Sequence, residues 1–179
     1  ILIAVGGRPR VPQQPGGDLM QTSDDMFNWL RAPQKAVIVG GGYVSVEFAH
    51  ILRGIGAEVD LIYRGDLFLK SFDHDLGAHL AHEMQAQGIH LHFNEDIQSC
   101  ERDGDHFIVH TTTGQSLTCD VALAAIGREP VTEGLNLAAA GVDTLDNGQI
   151  DVNEDYQSSA AHIYACGDVA NRDHLTPVA

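Results

Sequence analysis

Basic residues are scarce in this chain. Ten Lys and Arg stand against 25 Asp and Glu, a formal net charge of −15 over 179 residues. A surface that tracks nucleic-acid phosphates is therefore excluded as a property of the whole molecule, and any bound anion needs a local positive site. Long apolar runs are missing too: none approaches the roughly 18–20 residues of a helical membrane span, and no charged segment leads into an apolar stretch with a cleavage site. A soluble chain is the expectation. Cysteine is limited to Cys100, Cys119 and Cys166, with no C-x-x-C or C-x4-C pair, so neither a zinc knuckle nor a local redox disulfide is encoded. Buried, inert thiols in a reducing cytoplasm are expected. Proline is limited to 6 residues, whereas glycine reaches 19 and apolar residues 44 %. That composition is too apolar for disorder and has no collagen period. At roughly 100–200 residues per domain, the length suits one domain, or one domain carrying pieces of another.

What is there begins abruptly. Ile1-Leu2-Ile3-Ala4-Val5 reads as a buried strand already under way, and the chain closes equally abruptly on Leu175-Thr176-Pro177-Val178-Ala179, so a segment of a longer polypeptide is expected. Gly6-Gly7-Arg8-Pro9 and Pro12 to Gly17 form a turn-rich linker with a boundary near residue 19. Thr22 or Ser23 should cap a short helix through residue 30, before Pro33. Ala36-Val37-Ile38-Val39 is a β-branched run of the kind buried on both faces of a parallel sheet. It leads into Gly40-Gly41-Gly42, a helix over 43–53, and a second strand, Val59-Asp60-Leu61-Ile62-Tyr63. A helix over 74–87 and a strand over 89–93 follow. Residues 97–101, 107–112 and 116–118, separated by Asp103-Gly104-Asp105 and Thr113-Gly114, suit an antiparallel meander. Residues 121–126 return to the buried parallel type, followed by a helical stretch over 135–140 and short strands over 149–152 and 162–165. No internal repeat is found.

Gly40-x-Gly42-x-x-Ser45 matches the dinucleotide fingerprint, with Ser as the third, small residue. The first glycine permits the tight turn, the second lets backbone approach a pyrophosphate, and the third position needs only a small side chain for helix-on-sheet packing. The pyrophosphate would lie at the helix N-terminus, where open N–H groups and the dipole stabilise an anion. An acid at the end of the second strand would bind a free ribose 2′-hydroxyl. Here that strand ends in Tyr63, followed by Arg64 and, six residues later, Lys70. Two cations without a strand-end carboxylate favour NADPH over NADH, with Asp66 between them as a complication.

Five motifs carry a family resemblance: Ile3-Ala4-Val5-Gly6-Gly7-Arg8-Pro9, Val39 to Ala49, Ala125-Ile126-Gly127-Arg128-Glu129-Pro130, Ile163-Tyr164-Ala165-Cys166-Gly167-Asp168, and Leu175 to Ala179. In this order they resemble the pyridine nucleotide–disulfide oxidoreductases over nearly the whole chain. Arg64 and Lys70 with Ser71-Phe72-Asp73 resemble the glutathione reductase branch most. The resemblance implies an α/β protein: a Rossmann-like dinucleotide-binding domain of parallel strands, helices and an antiparallel meander, inserted in a partial FAD-binding domain. Residues 1–19 and 131–179 would be FAD-domain remnants and residues 20–130 the NAD(P)H-binding domain. It also implies NADPH and FAD as cofactors, electron flow through a cysteine pair to a small disulfide such as glutathione disulfide, and a homodimer for the full-length protein.

Carried over residue by residue, the resemblance puts Gly40, Gly41, Gly42 and Val44 against the dinucleotide and Arg64 and Lys70 against its 2′-phosphate. Tyr43 resembles an aromatic lid over the flavin, and Glu47, one helical turn on, helps position the nicotinamide end; their plainer readings are a core tyrosine and a solvated glutamate. Gly127 and the main chain of His174 correspond to further NADPH contacts. Asp168 resembles the acid that binds the flavin ribityl chain, and Thr176 a residue near the flavin pyrimidine. Val5, Ser45 and Lys70 depart from the common Thr, Ala and Arg. The FAD fingerprint, the redox cysteine pair and the catalytic His-Glu are not found, so no catalytic residue is assigned and the segment alone should not complete the reaction.

His79 and His82, at i and i+3 on a helix with His74, His90 and His92 nearby, have spacing that a metal would tolerate, but no organised carboxylate accompanies them. Exposed histidines and no metal site are expected. A dihydrolipoamide dehydrogenase or mercuric reductase relative, and a stand-alone dinucleotide-binding module, remain alternatives.

Overall fold

The structure, a computed structural model, describes residues 1–172. In chain order its elements are β1 (Leu2–Ile3), β2 (Gly7–Pro9), α1 (Ser23–Met26), β3 (Lys35–Val39), α2 (Tyr43–Gly54), β4 (Glu58–Tyr63) and α3 (His74–Ala86). Then come β5 (Ile89–Phe93), β6 (Ile97–Asp103), β7 (His106–Thr111), β8 (Ser116–Cys119), β9 (Val121–Ala124), β10 (Arg128–Pro130) and β11 (Tyr164–Ala165). The chain divides into two compact units, Arg10–Gly127 and a second formed by Ile1–Pro9 with the chain from Arg128 onward.

In the central unit β5, β4, β3 and β9 pair in that order, all parallel. The continuous apolar run of β3 has the expected outcome, with Ala36 to Val39 all buried. Because strand side chains alternate, Ala36, Ile38, Val59, Leu61 and Leu123 face α2 and α3, where they meet Phe48, Leu52 and Met84. Val37, Val39, Ile62, Ala122 and Ala124 face the other way, onto Ile97, Cys100, Val109 and Cys119 of the antiparallel sheet β6-β7-β8. That meander stands where a crossover helix would connect β5 to β9. Strand order reverses at β3, the topological switch point at which open α/β sheets open a ligand crevice.

Several local expectations need correction. Residues 10–19, read as linker, belong to the central unit: Pro15 O accepts from Cys100 N at 2.9 Å and Met20 is buried. The helix expected through residue 30 ends at Met26. Thr22 and Asp25 form its capping box, but Phe27 and Leu30 are 79 % and 99 % exposed, so no core rewards further turns.

In the flanking unit β1 pairs in parallel with β11 and β2 antiparallel with β10. The buried five-residue opening strand is instead two residues long, and Ile1, Leu2 and Val5 are exposed, since β1 has a neighbour on one side only among the described residues. The strand expected over 149–152 makes only single bridges at Ile150 and Val152, because Gly148, at φ 84°, and the Asn147 side chain bend the backbone into a turn. The strand over 162–165 contracts to β11, and the helical stretch over 135–140 is a single 3-10 turn, Leu137–Ala140, flanked by left-handed Asn136 and Gly141. Val142, Ile150, Val152, Ile163 and Val169 form this unit's own core.

Candidate functional site

The glycine turn sits at the C-terminal end of β3. Gly40 has φ 146°, and a side chain there would collide with the Ala125 carbonyl just after β9; only glycine lets the turn pass so close. Gly42 is the N-cap of α2 and offers no side-chain cap to this 12-residue helix. By contrast Asp73 caps α3, accepting from Asp75 N at 2.9 Å. The first amides of α2 therefore remain open at the turn, which is the physical requirement for holding an anion. Ser45, fully buried, donates its hydroxyl to Gly42 O at 2.7 Å. The departure from alanine is thus accommodated, with its polar atom satisfied.

A second loop is fastened to this turn. Leu69 N donates to Gly41 O at 2.8 Å, and Leu69 itself is left-handed, φ 59°. A non-glycine residue held there stores strain, and strain of this kind gathers at ligand clamps. The next residue is Lys70, and the loop begins with Arg64. Both cations are exposed, and neither has an ion-pair or hydrogen-bond partner among the described residues. In so acidic a chain, acids to pair with are not in short supply.

Of the other expected residues, Tyr43 is 50 % exposed and so is not a core tyrosine. Glu47 is exposed one turn along the same helix, and Val44 is half-buried. Gly127, φ 107°, lies two residues beyond Ala125 with open space at its Cα. The turn, Arg64, Lys70 and Gly127 thus belong to the central unit. In the flanking unit, Asp168 is ion-paired to Arg128 Nε at 2.8 Å. His174 and Thr176 lie outside the described residues.

Sequence reasoning marked Tyr63 only as a strand end without a carboxylate and passed over Gly65 and Leu69, which with Tyr63 hold this loop. The signal available was the tight succession of an aromatic, a cation and a glycine at a strand end. It also passed over Asp60. Asp60 is 3 % exposed and faces the meander, with His92 Nε2 at 2.7 Å, His90 Nδ1 at 3.4 Å and Lys35 Nζ at 3.5 Å; Lys35 Nζ also meets Glu58 at 2.6 Å. His92, expected to be exposed, is half-buried between Asp60 and Glu95, because Asp60 recruits it across the β4–β5 pair; His74, His79, His82 and His90 are exposed. The hydrogen bond to Asp60 raises the pKa of His92 above the ordinary imidazole value. Burial pushes Asp60 upward, yet His92 and Lys35 together hold it below the usual carboxylate range. Glu58, Asp60 and His90 bring ligand-type atoms within 4.8 Å of one another, and Lys35 already supplies a cation there. Cys100 and Cys119 are buried as expected, and burial pushes the Cys119 thiol up to about 12, whereas Cys166, expected to be buried too, is only half-buried.

Known proteins resemble the chain as a whole. The family model for pyridine nucleotide-disulphide oxidoreductases matches residues 1–179. A glutathione reductase of Burkholderia cepacia is 44 % identical over 179 residues, which are 100 % of this chain and 40 % of that protein. A trypanothione reductase of Trypanosoma congolense is 38 % identical over 184 residues, 100 % of this chain and 37 % of that protein. Among solved structures, the Cu(II) complex of the HOCl-induced flavoprotein disulfide reductase RclA from Escherichia coli superposes with a TM-score of 0.91 at 29 % identity, covering 99 % of this chain and 42 % of that one. The chain thus spans about two fifths of the length of these relatives. From the glycine turn to the last described residue the sequence, the α/β architecture and the matched model agree, and the chain belongs to the pyridine nucleotide-disulphide oxidoreductase family.

Proposed function

We propose that the central unit is the NADPH-binding domain of a flavin-dependent disulfide reductase, acting in the full-length protein on a small disulfide, glutathione disulfide by preference. Family membership implies FAD and NADPH as cofactors, which together supply electron transfer from a nicotinamide to a disulfide. The residues fit the nucleotide: a turn that a Cβ would block, an uncapped helix N-terminus and two cations without partners among the described residues. The open amides of α2 bind the pyrophosphate, and Arg64 and Lys70 bind the 2′-phosphate. Exposed Tyr43 and Glu47 stand on the first two turns of α2, available to the nicotinamide end. Asp168, in the flanking unit, is the described residue assigned to FAD. The chain by itself binds nucleotide without reducing disulfides, because its three cysteines are isolated in sequence and form no redox pair.

The observation that carries this reading is the pair of cations, without partners among the described residues, on a loop bonded to the glycine turn. Equilibrium titration with NADPH and NADH tests it. NADPH should bind at least tenfold more tightly, as one or two charge-assisted phosphate contacts predict, and Arg64→Ala or Lys70→Ala should erode that preference while leaving NADH binding unchanged. Equal affinity for both nucleotides, indifferent to the two substitutions, would point to an NADH-using relative.

A further inference from the structure

We propose that Glu58, Asp60 and His90 form a binding site for a divalent metal ion of the zinc class, with the Lys35 ammonium as its built-in competitor. Strand register assembles the set. Glu58 and Asp60 are two residues apart on β4 and so share a face; His90 of β5 lies directly opposite Asp60, and Lys35 of β3 directly opposite Glu58. One donor atom from each of Glu58, Asp60 and His90 lies within 4.8 Å of the other two. A tetrahedral zinc ion with N and O ligands at about 2.0–2.2 Å spaces its donors roughly 3.3–3.6 Å apart. His90 Nδ1 and Asp60 Oδ1 already stand 3.4 Å apart.

Independent of that spacing is an unmet need. Asp60 is buried, and while its Oδ1 meets His92 Nε2 at 2.7 Å, its Oδ2 accepts no hydrogen bond. Lys35 Nζ is 3.5 Å from Oδ2 and makes its shorter contact, 2.6 Å, with Glu58. A buried anionic oxygen without a hydrogen bond is costly. A metal ion bonded to Oδ2 removes that cost directly, whereas the ammonium, held toward Glu58, offsets it only through space. Lys35 is able to yield its place, since its side chain is only half-buried and its stem is flexible, and exposed Glu58 and His90 give an ion a path from solvent. Two carboxylates with one imidazole suit Zn2+ better than Mg2+ or Ca2+, which prefer oxygen donors. Three protein donors leave a fourth position to water. His79 and His82 are the opposite case: their helical spacing suits a metal, but both are exposed and belong to no such cluster among the described residues.

The test is calorimetric titration of the whole chain with Zn2+, read beside a thermal melt with and without the ion. Wild type should take up one Zn2+ at this site and melt at a higher temperature with it, as for any ligand of the folded state. Glu58→Gln and His90→Ala, both at exposed positions, should each weaken binding by about tenfold or more with little change in the metal-free melt, and Asp60→Asn should abolish it. Lys35→Met leaves the carboxylates without their competing cation and should tighten binding by about tenfold. Replacing His79 and His82 together by Ala should leave the affinity within about twofold. Zinc binding that survives Glu58→Gln and His90→Ala, or that is lost with His79 and His82, overturns the site. So does a Lys35→Met chain that binds zinc no better than wild type. Should Asp60→Asn fail to fold, the two exposed variants and Lys35→Met decide alone.

Discussion

Where β3 and β4 begin, Lys35 meets Glu58 at 2.6 Å and Asp60 at 3.5 Å, and His92 reaches Asp60 at 2.7 Å. Beyond the far ends of the same strands, Arg64 and Lys70 stand without partners among the described residues, beside a helix end that no side chain caps. The same sheet thus gathers its charges into ion pairs at one end, where among the described residues only the Asp60 Oδ2 atom is buried without a hydrogen bond, and leaves them open at the other. A buried carboxylate without partners would cost several kcal/mol, so the first end is built to be closed. Open amides and free cations cost little while water solvates them and become useful only when an anion arrives, so the second end is built to be filled. Arg10 and Arg31 are exposed without a side-chain partner among the described residues too, so it is the position of Arg64 and Lys70, beside the strand ends where open α/β sheets bind ligands, that makes them the guide to function.

The sharpest way to break the contrast is to open the closed end. His92→Leu leaves Asp60 buried without its shortest hydrogen bond and should destabilise the central unit by about 3 kcal/mol, read as a lower urea midpoint, with NADPH affinity unchanged. A loss under about 0.5 kcal/mol, the range of surface substitutions, would mean the network is ornamental. The same end sets the next effect, a pH dependence. His92 has a raised pKa in the fold, so its contribution is complete below the ordinary imidazole value of 6.5 and is lost as pH rises through the folded one. Asp60 and Glu95 are lowered, so theirs is present above the ordinary carboxylate values and is lost as pH falls through the folded ones. For Glu95, burial pushes upward and hydrogen bonds from Thr111 and Thr113 outweigh it. Stability should therefore peak between the two ranges, and His92→Leu should flatten the alkaline limb and weaken the acid one as well, because His92 is the main group holding the Asp60 carboxylate below its ordinary value.

The open end was far more legible in the sequence than the closed one. The glycine turn, its flanking strand and helix, and the two cations lie within 36 residues of one another, and local chemistry marks each of them. The parallel strands were legible for the same reason, since a short apolar run buried on both faces reads directly. Asp60 was hidden because its partners His90 and His92 come from β5, some thirty residues on, and nothing short of strand register brings them together. The packing of the Tyr63 ring against Gly41 and Gly65 was hidden likewise, since it depends on the backbone course of two loops. The opening strand misled in the other direction: Ile1, Leu2 and Val5 carry an interior pattern, but pattern does not supply a neighbour on each side.

The comparison can also be sharpened from the open end. Lys70 presents a point charge, whereas arginine would offer a planar fork that meets a phosphate through two parallel hydrogen bonds. Lys70→Arg should tighten NADPH by about threefold, a gain of roughly 0.7 kcal/mol, and leave both NADH affinity and the melting temperature unchanged. Tightening of both nucleotides alike would place Lys70 near the shared pyrophosphate instead of the 2′-phosphate.

The smallest effect belongs to Ser45, which stands between the two regimes because it is fully buried yet lies on the first turn of the open helix. Its hydroxyl donates to Gly42 O, which also accepts from Val46 N at 3.3 Å. Ser45→Ala removes donor and hydroxyl together and leaves that carbonyl with a partner, so no buried polar atom is orphaned. Alanine also has the higher helix propensity, which offsets part of the lost hydrogen bond. The net change in stability should stay within about 0.5 kcal/mol, and nucleotide affinity should hold within twofold, because the anion is met by backbone amides that the substitution does not touch. A loss of affinity well beyond that, at unchanged stability, would show the hydroxyl fixing the geometry of the turn, and would turn an inconspicuous departure from the family pattern into part of the binding site.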